Sequence, residues 1–327
     1  MKAILYEEYG PPDVLAYKEV EKPAPKEGEV LLKVFASSVN WADWHNLRAN
    51  PFLVRLAAGF TKPKNTILGF DVAGQKEAVG PNAGQFQPGD DVFGDIYTSG
   101  GGAFAEYVAV PEKELVSKPA NINFEQAAAV PVAAVTALQG LRDHGQIQPG
   151  QKVLIHGASG GVGTFAVQLA RHFGADVTGV CSTRNLELVR SLGVDHVIDY
   201  TQEGFTQNGQ RYDLILDNIG NPSIYKRFYN RSLSTQGICV IVAGSFFLQL
   251  FRGPWMSMTG KNKIGTYMTV TTREDLAFLK ELLEAGEITP VIDRSYPLSQ
   301  VAEAIRHLEG GHARGKIGIS VAHPGKA

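Results

Sequence analysis

The chain has 327 residues, 44% of them hydrophobic and 20% charged, a balance that fits a soluble globular enzyme long enough for two domains. Its formal charge of −2 leaves no basic surplus for nucleic acid and no polybasic arm for a membrane. The two cysteines, Cys181 and Cys239, exclude a cysteine-built structural zinc site and fit a reducing compartment. Met1-Lys2-Ala3 runs at once into Tyr6-Glu7-Glu8, so no secretory leader is expected. The longest apolar run, residues 127–138, is broken by Pro131 and is too short to span a bilayer. The expectation is a cytoplasmic protein without a membrane or nucleic-acid partner.

Residues 1 to about 122 have an all-β character. Ala3-Ile4-Leu5-Tyr6 predicts a first strand, and the run from Val30 to Ala36 a second, after a turn-forming stretch at residues 23–28. Glycine and proline then punctuate the chain at short intervals, at Gly69, Gly74, Gly80-Pro81, Pro88-Gly89, Gly94 and Gly100-Gly101-Gly102, which predicts short strands in a barrel-like or sandwich-like unit. One helical insertion is expected over residues 42–55. From Asn123 the pattern changes: Asn123 with Gln126 reads as a capping box opening an alanine-rich helix kinked at Pro131.

Residues 152–184, KVLIHGASGGVGTFAVQLARHFGADVTGVCSTR, read as strand, glycine turn, helix, strand. The apolar run Val153-Leu154-Ile155 leads into Gly157, Gly160 and Gly163, and apolar residues then recur at helical spacing until Gly174. A diphosphate needs glycine here, because it must approach the turn closely and rest on the N–H groups that open the helix. The spacing G-x-x-G-x-x-G makes the turn one residue longer than the commoner fingerprint. Further on, a helix is expected from Leu186 to Leu192, strands from Val194, Tyr212 and Ile238, and a helix over residues 225–233. Alternating strands and helices of this length imply a parallel sheet. Amphipathic helices over residues 272–285 and 299–308 and a strand at residues 315–321 close the chain.

The segments KAILYEEYGPPDVL, SSVNWADW, ILGFDVAG, QPGDDVFG, GGAFAEYV, HGASGGVGTFAVQLA, DHVIDY and HARGKIGISV together resemble the medium-chain dehydrogenase/reductase superfamily, in its zinc-lacking quinone oxidoreductase-like branch. The resemblance runs the full length. It implies an α/β protein: a mainly β GroES-like catalytic domain, residues 1–122 and 263–327, wrapped around an inserted Rossmann domain, residues 123–262. In zinc alcohol dehydrogenases a cysteine, a histidine and a cysteine hold the catalytic metal. The matching positions here are Asn40, Phe70 and Val132, none a good zinc ligand, so no metal is expected.

The expected cofactor is NADPH. Ser159, Gly160, Gly161, Val162 and Gly163 form the expected phosphate cradle, with Asn218 and Gly244 following later strands. The end of the second Rossmann strand carries no carboxylate. Ser182, Thr183 and Arg184 there offer hydroxyls and a cation to a 2′-phosphate, although Arg184 also fits an exposed helix-start residue. The resemblance further assigns Tyr200 to the adenosine phosphate, and Thr136 and Lys316 to the cofactor, a surface position being open for Lys316. The implied chemistry is hydride transfer to a quinone or a carbonyl-conjugated double bond. Asn40, at the lost-metal position, is the expected catalytic donor, or else a loop-capping amide. Asp43 and Arg48 fit a substrate contact, a structural ion pair or a cap. Tyr97 fits a proton donor or a packing tyrosine, and Trp41, Trp44 and Phe70 an aromatic wall or core. The apolar run from Phe246 to Trp255 suggests a homodimer contact or an internal lid. Two rival readings stay open: a thioester-linked enoyl reductase, and an NADPH-binding regulatory or structural protein without turnover.

Overall fold

Strand β3 (Glu29–Val39) is the axis of the mainly β half, and its sequence EVLLKVFASSV explains why: it is almost continuously buried, as a strand covered on both faces must be. In this computed structural model, which describes residues 1–204, 209–220, 230–242 and 263–323, two strands precede it, β1 (Lys2–Leu5) and β2 (Ala16–Glu19), paired antiparallel. After it come β4 (Asp71–Val79), β5 (Asp91–Asp95), β6 (Tyr107–Pro111) and β7 (Leu115–Ser117). The second half follows with β8 (Lys152–His156), β9 (Asp176–Cys181), β10 (His196–Asp199), β11 (Tyr212–Asp217), β12 (Leu233–Ile241) and β13 (Lys263–Thr266). The last strands are β14 (Ile292–Pro297) and β15 (Lys316–Ser320).

One edge of β3 pairs with β4. The other is shared: β6 takes its first half and β15 its second, with Ile317 opposite Val39. The chain's last strand is thereby laid beside the end of β3, so Lys316 arrives next to Asn40. The core of this unit gathers Leu32, Val34, Phe70, Val72, Phe104 and Ile319.

Strands β8 to β13 form a parallel sheet in the order β10-β9-β8-β11-β12-β13. This is the doubly wound arrangement, with its switch of direction between β8 and β11. The helix Gly161–His172 is buried from Gly163 through Ala170, as befits a crossover covering a parallel sheet.

Two compact units result: residues 1–132, 271–286 and 290–327, and residues 133–270 with 287–289. The divisions fall later than the 122 and 263 read from sequence, for physical reasons. Phe124, which opens the helix Phe124–Ala128, packs its ring 4.7 Å from Phe35 of β3, so this helix stays with the first unit. At the other division, β13 pairs with β12 and completes the parallel sheet. The alanine-rich helix is two helices, Phe124–Ala128 and Pro131–Gln139, because Pro131 starts a new one rather than kinking the old. The expected insertion is likewise two helices, Trp41–Arg48 and Val54–Ala58, with a cis Asn50–Pro51 bond between them. Leu233 begins β12 instead of ending a helix. Gly244, the run from Phe246 to Trp255 and most of the helix expected over 225–233 lie outside the described residues.

Candidate active site

The glycines after β8 are needed for different reasons. Gly157 has φ +77, a left-handed conformation, and a Cβ on Gly163 would stand 2.1 Å from the Gly157 carbonyl oxygen. The fold itself therefore requires both. Gly160 is different: its φ of −83 suits any residue, and the nearest atom to a Cβ there is 3.6 Å away. Nothing among the described residues demands glycine at 160. An unobstructed helix opening of this kind suits a phosphate, and the turn fits a dinucleotide diphosphate on that ground.

Asn185, which no sequence signal announced, ties this turn to the end of β9. Its Nδ2 donates to Ser159 Oγ at 2.9 Å and to Ser182 Oγ at 3.3 Å. Thr183 is held from the next strand, since Asp199 stands in register with Cys181. Thr183 Oγ1 donates to Asp199 Oδ2 at 2.5 Å and lies 2.9 Å from Thr201 Oγ1. That first bond is the main reason the Asp199 carboxyl sits below its ordinary range. Arg184 and Tyr200 are exposed. The Asn218 side chain has both polar atoms buried with no hydrogen-bond partner among the described residues, at the mouth of β11 beside Gly157. Such an amide suits a ligand contact. Thr136 Oγ1 lies 3.0 Å from Thr269 Oγ1, and Tyr267 donates its hydroxyl to the Thr136 carbonyl.

The first unit places a second polar cluster where β3, β4 and β15 meet. Asp71 is fully buried and gathers four donors: Ser38 Oγ (2.5 Å), Asn40 Nδ2 (2.8 Å) and Lys316 Nζ (3.2 Å) on one oxygen, Val132 N–H (2.9 Å) on the other. Lys316 Nζ also donates to Asn40 Oδ1 at 2.5 Å. The amide orientation of Asn40 is dictated by its partners, because an ammonium can only donate and a carboxylate only accept. Beneath it, Asp43 accepts from the N–H groups of Asn40 (2.8 Å) and Gly69 (3.0 Å). Burial nonetheless pushes the Asp43 carboxyl up to about 7. Asp95, opposite Asp71 on β5, is raised to about 6 by burial and then by the nearby Asp71 charge.

Two family models match this chain: an "Alcohol dehydrogenase GroES-like domain" over residues 26–120 and a "Zinc-binding dehydrogenase" over residues 192–317. The chain is 35% identical to the chloroplastic quinone-oxidoreductase QR1 of Triphysaria versicolor, with 97% of each chain covered. The chain belongs to the medium-chain dehydrogenase/reductase superfamily, in its quinone oxidoreductase-like branch. It is also 36% identical to the chloroplastic NADPH-dependent alkenal/one oxidoreductase of Arabidopsis thaliana, over 97% of this chain and 78% of that protein. Among solved structures it resembles the quinone oxidoreductase from Coxiella burnetii, with a TM-score of 0.86 and 29% identity over 98% of this chain and 99% of that one.

Zinc, which the second family model's description brings with it, meets a poor donor set here. The Asn40 oxygen already accepts from an ammonium, Phe70 carries no donor atom, and the Val132 N–H points at Asp71. A metal cation beside the Lys316 ammonium would meet like charge in a buried place. Among the described residues, no group of three or more His, Cys, Asp or Glu is placed to hold a metal.

Several sequence readings are sharpened by these contacts. Lys316 is 3% exposed, so it is no surface lysine, and its partners are Asn40 and Asp71. Asp43 does not pair with Arg48, which reaches Glu309 instead; Asp43 is bound to backbone. Tyr97 is 47% exposed, with its ring 4.7 Å from that of Phe70. Trp41 and Trp44 pair edge-to-face with each other at 5.5 Å. Asp71 was missed, yet it had a signal: a lone acid in the apolar run from Ile67 to Ala73 must find buried partners.

Proposed function

We propose that this chain is a zinc-independent, NADPH-dependent oxidoreductase that reduces quinones or α,β-unsaturated carbonyl compounds. The relatives named for quinone and alkenal/one reduction support the acceptor class. The observation that carries the reading is the amide of Asn40. Its oxygen accepts from Lys316 and one N–H is held by Asp71, which leaves a single preoriented N–H. Binding the carbonyl oxygen to an ammonium polarises the amide and strengthens that remaining donor.

NADPH, when bound, supplies the hydride; Gly160, Ser159 and Asn218 are the residues that hold it, with Ser182 and Arg184 at the 2′-phosphate. The acceptor's oxygen gains negative charge as its conjugated system is reduced. A charge spread over an enolate or quinolate needs hydrogen-bond donors rather than a Lewis acid, and the Asn40 N–H provides one. Asp71 and Lys316 act through Asn40 by fixing its direction. Tyr97, half-exposed and held against Phe70, is the candidate to return a proton. We also read the working form as a homodimer in an aqueous, reducing compartment; no described helix is long and apolar enough to cross a membrane.

The test is Asn40→Ala assayed with a quinone and an enone, with NADPH affinity measured separately. Turnover is expected to fall about 10²–10³-fold with both acceptors while NADPH binding is kept. Unchanged turnover makes Asn40 structural and removes the reading's main support.

A further inference from the structure

The loop after β9 was expected to offer a 2′-phosphate three groups, Ser182, Thr183 and Arg184. The structure takes one away. Thr183 Oγ1 lies 2.5 Å from Asp199 Oδ2 and 2.9 Å from Thr201 Oγ1, while Thr201 Oγ1 lies 2.7 Å from Asp199 Oδ1 and Thr201 N–H donates to that same oxygen at 2.9 Å. This closed triangle has three contacts and only two hydroxyl hydrogens, and the carboxylate can only accept. Both hydrogens are therefore spent inside the triangle. The Thr183 oxygen cannot then donate to a phosphate, and a negative charge stands one hydrogen bond from the loop that a phosphate must approach.

We propose that Asp199 is a specificity-determining residue: it withholds the Thr183 hydroxyl and sets its own charge against the 2′-phosphate, holding the preference for NADPH over NADH below what Ser182, Thr183 and Arg184 together allow. This rests on the reading that residues 182–184 face the 2′-phosphate. The acid is invisible to a search at the end of β9 itself, because it comes from the end of β10, brought level with Cys181 by the parallel register.

Asp199→Asn tests the proposal with little change of shape. The asparagine Oδ1 still accepts from Thr201 and its Nδ2 donates to Thr183 Oγ1, so the carboxylate charge is lost and the Thr183 hydrogen is no longer bound to it; the hydrogen's remaining partner inside the triangle is Thr201 Oγ1, 2.9 Å away. NADPH should bind about three- to tenfold more tightly in this variant, chiefly through one lost like charge and with the Thr183 hydroxyl held by a neutral partner instead of a carboxylate, while NADH changes by less than about twofold. Thr183→Val supplies the second arm. It should leave NADPH affinity nearly unchanged in the natural chain, where the hydroxyl is spent, and take away part of the gain in the Asp199→Asn background. Equal shifts for both nucleotides, or no gain for NADPH, overturn the proposal. Arg184→Ala separates this failure from that of the underlying reading. A selective loss of NADPH, about ten- to a hundredfold, keeps the phosphate assigned to this loop, whereas equal effects on both nucleotides remove the assignment itself.

Discussion

Two buried lysine–carboxylate pairs share strand β4, and their surroundings set them apart. Lys76 is fully buried and pairs with Glu112 at 3.1 Å; Lys316 pairs with Asp71, the first residue of the strand, at 3.2 Å. Around Glu112 the other partners are backbone. It accepts from the N–H groups of Gly84, Gln85 and Phe86, and Lys76 donates to the Phe86 carbonyl. Burial alone would raise the Glu112 carboxyl, but these donors hold it down at about 2. Around Asp71 most partners are side chains, and one of them, Asn40, keeps a donor to spare. A buried ion pair is thus no sign of function in itself. What separates the two is whether the remaining hydrogen bonds close on the main chain or end on a group that can still bind something else.

The comparison breaks most visibly at the first pair. Lys76→Met leaves Glu112 charged and without its cation in a buried place, and should cost about 3–5 kcal/mol of unfolding free energy. Turnover per folded molecule should be kept. Urea unfolding together with specific activity reads both quantities, and a loss of specific activity in the folded fraction would erase the distinction.

Lys316→Met sharpens it from the other side. Losing this ammonium frees Asn40 to rotate and weakens its remaining N–H. The expected loss is about 10²–10³ in kcat, or roughly 2.7–4 kcal/mol, with the KM for NADPH little changed. A variant that loses only stability, as Lys76→Met should, would make Lys316 a second structural lysine.

Much of the fold was legible because glycines and apolar runs act locally. Gly157 and Gly163 are demanded by positive φ and by close packing, and such positions declare themselves in sequence. The helix Arg273–Glu284 followed from Leu276, Leu279, Leu282 and Leu283 and is capped by Thr272. What stayed hidden depends on register between distant segments. No local pattern says that β13 completes the parallel sheet, that Asn185 links Ser159 to Ser182, or that Asp199 stands beside Cys181. The site divides the same way. Asn40 and Lys316 were singled out by resemblance, but their bond to each other spans nearly the whole chain and exists only because β15 lies along the end of β3.

The central claim is reduction of a conjugated acceptor by hydrogen-bond donors in place of a metal. Its most direct test is steady-state oxidation of NADPH by the chelator-treated natural chain, with a quinone and an enone as acceptors and a simple alcohol as the reverse substrate. The expected result is saturable turnover with a conjugated acceptor, unaffected by chelation or by added zinc, and poor oxidation of the alcohol. Activity that disappears on chelation and returns with zinc, or efficient oxidation of the alcohol, would contradict it.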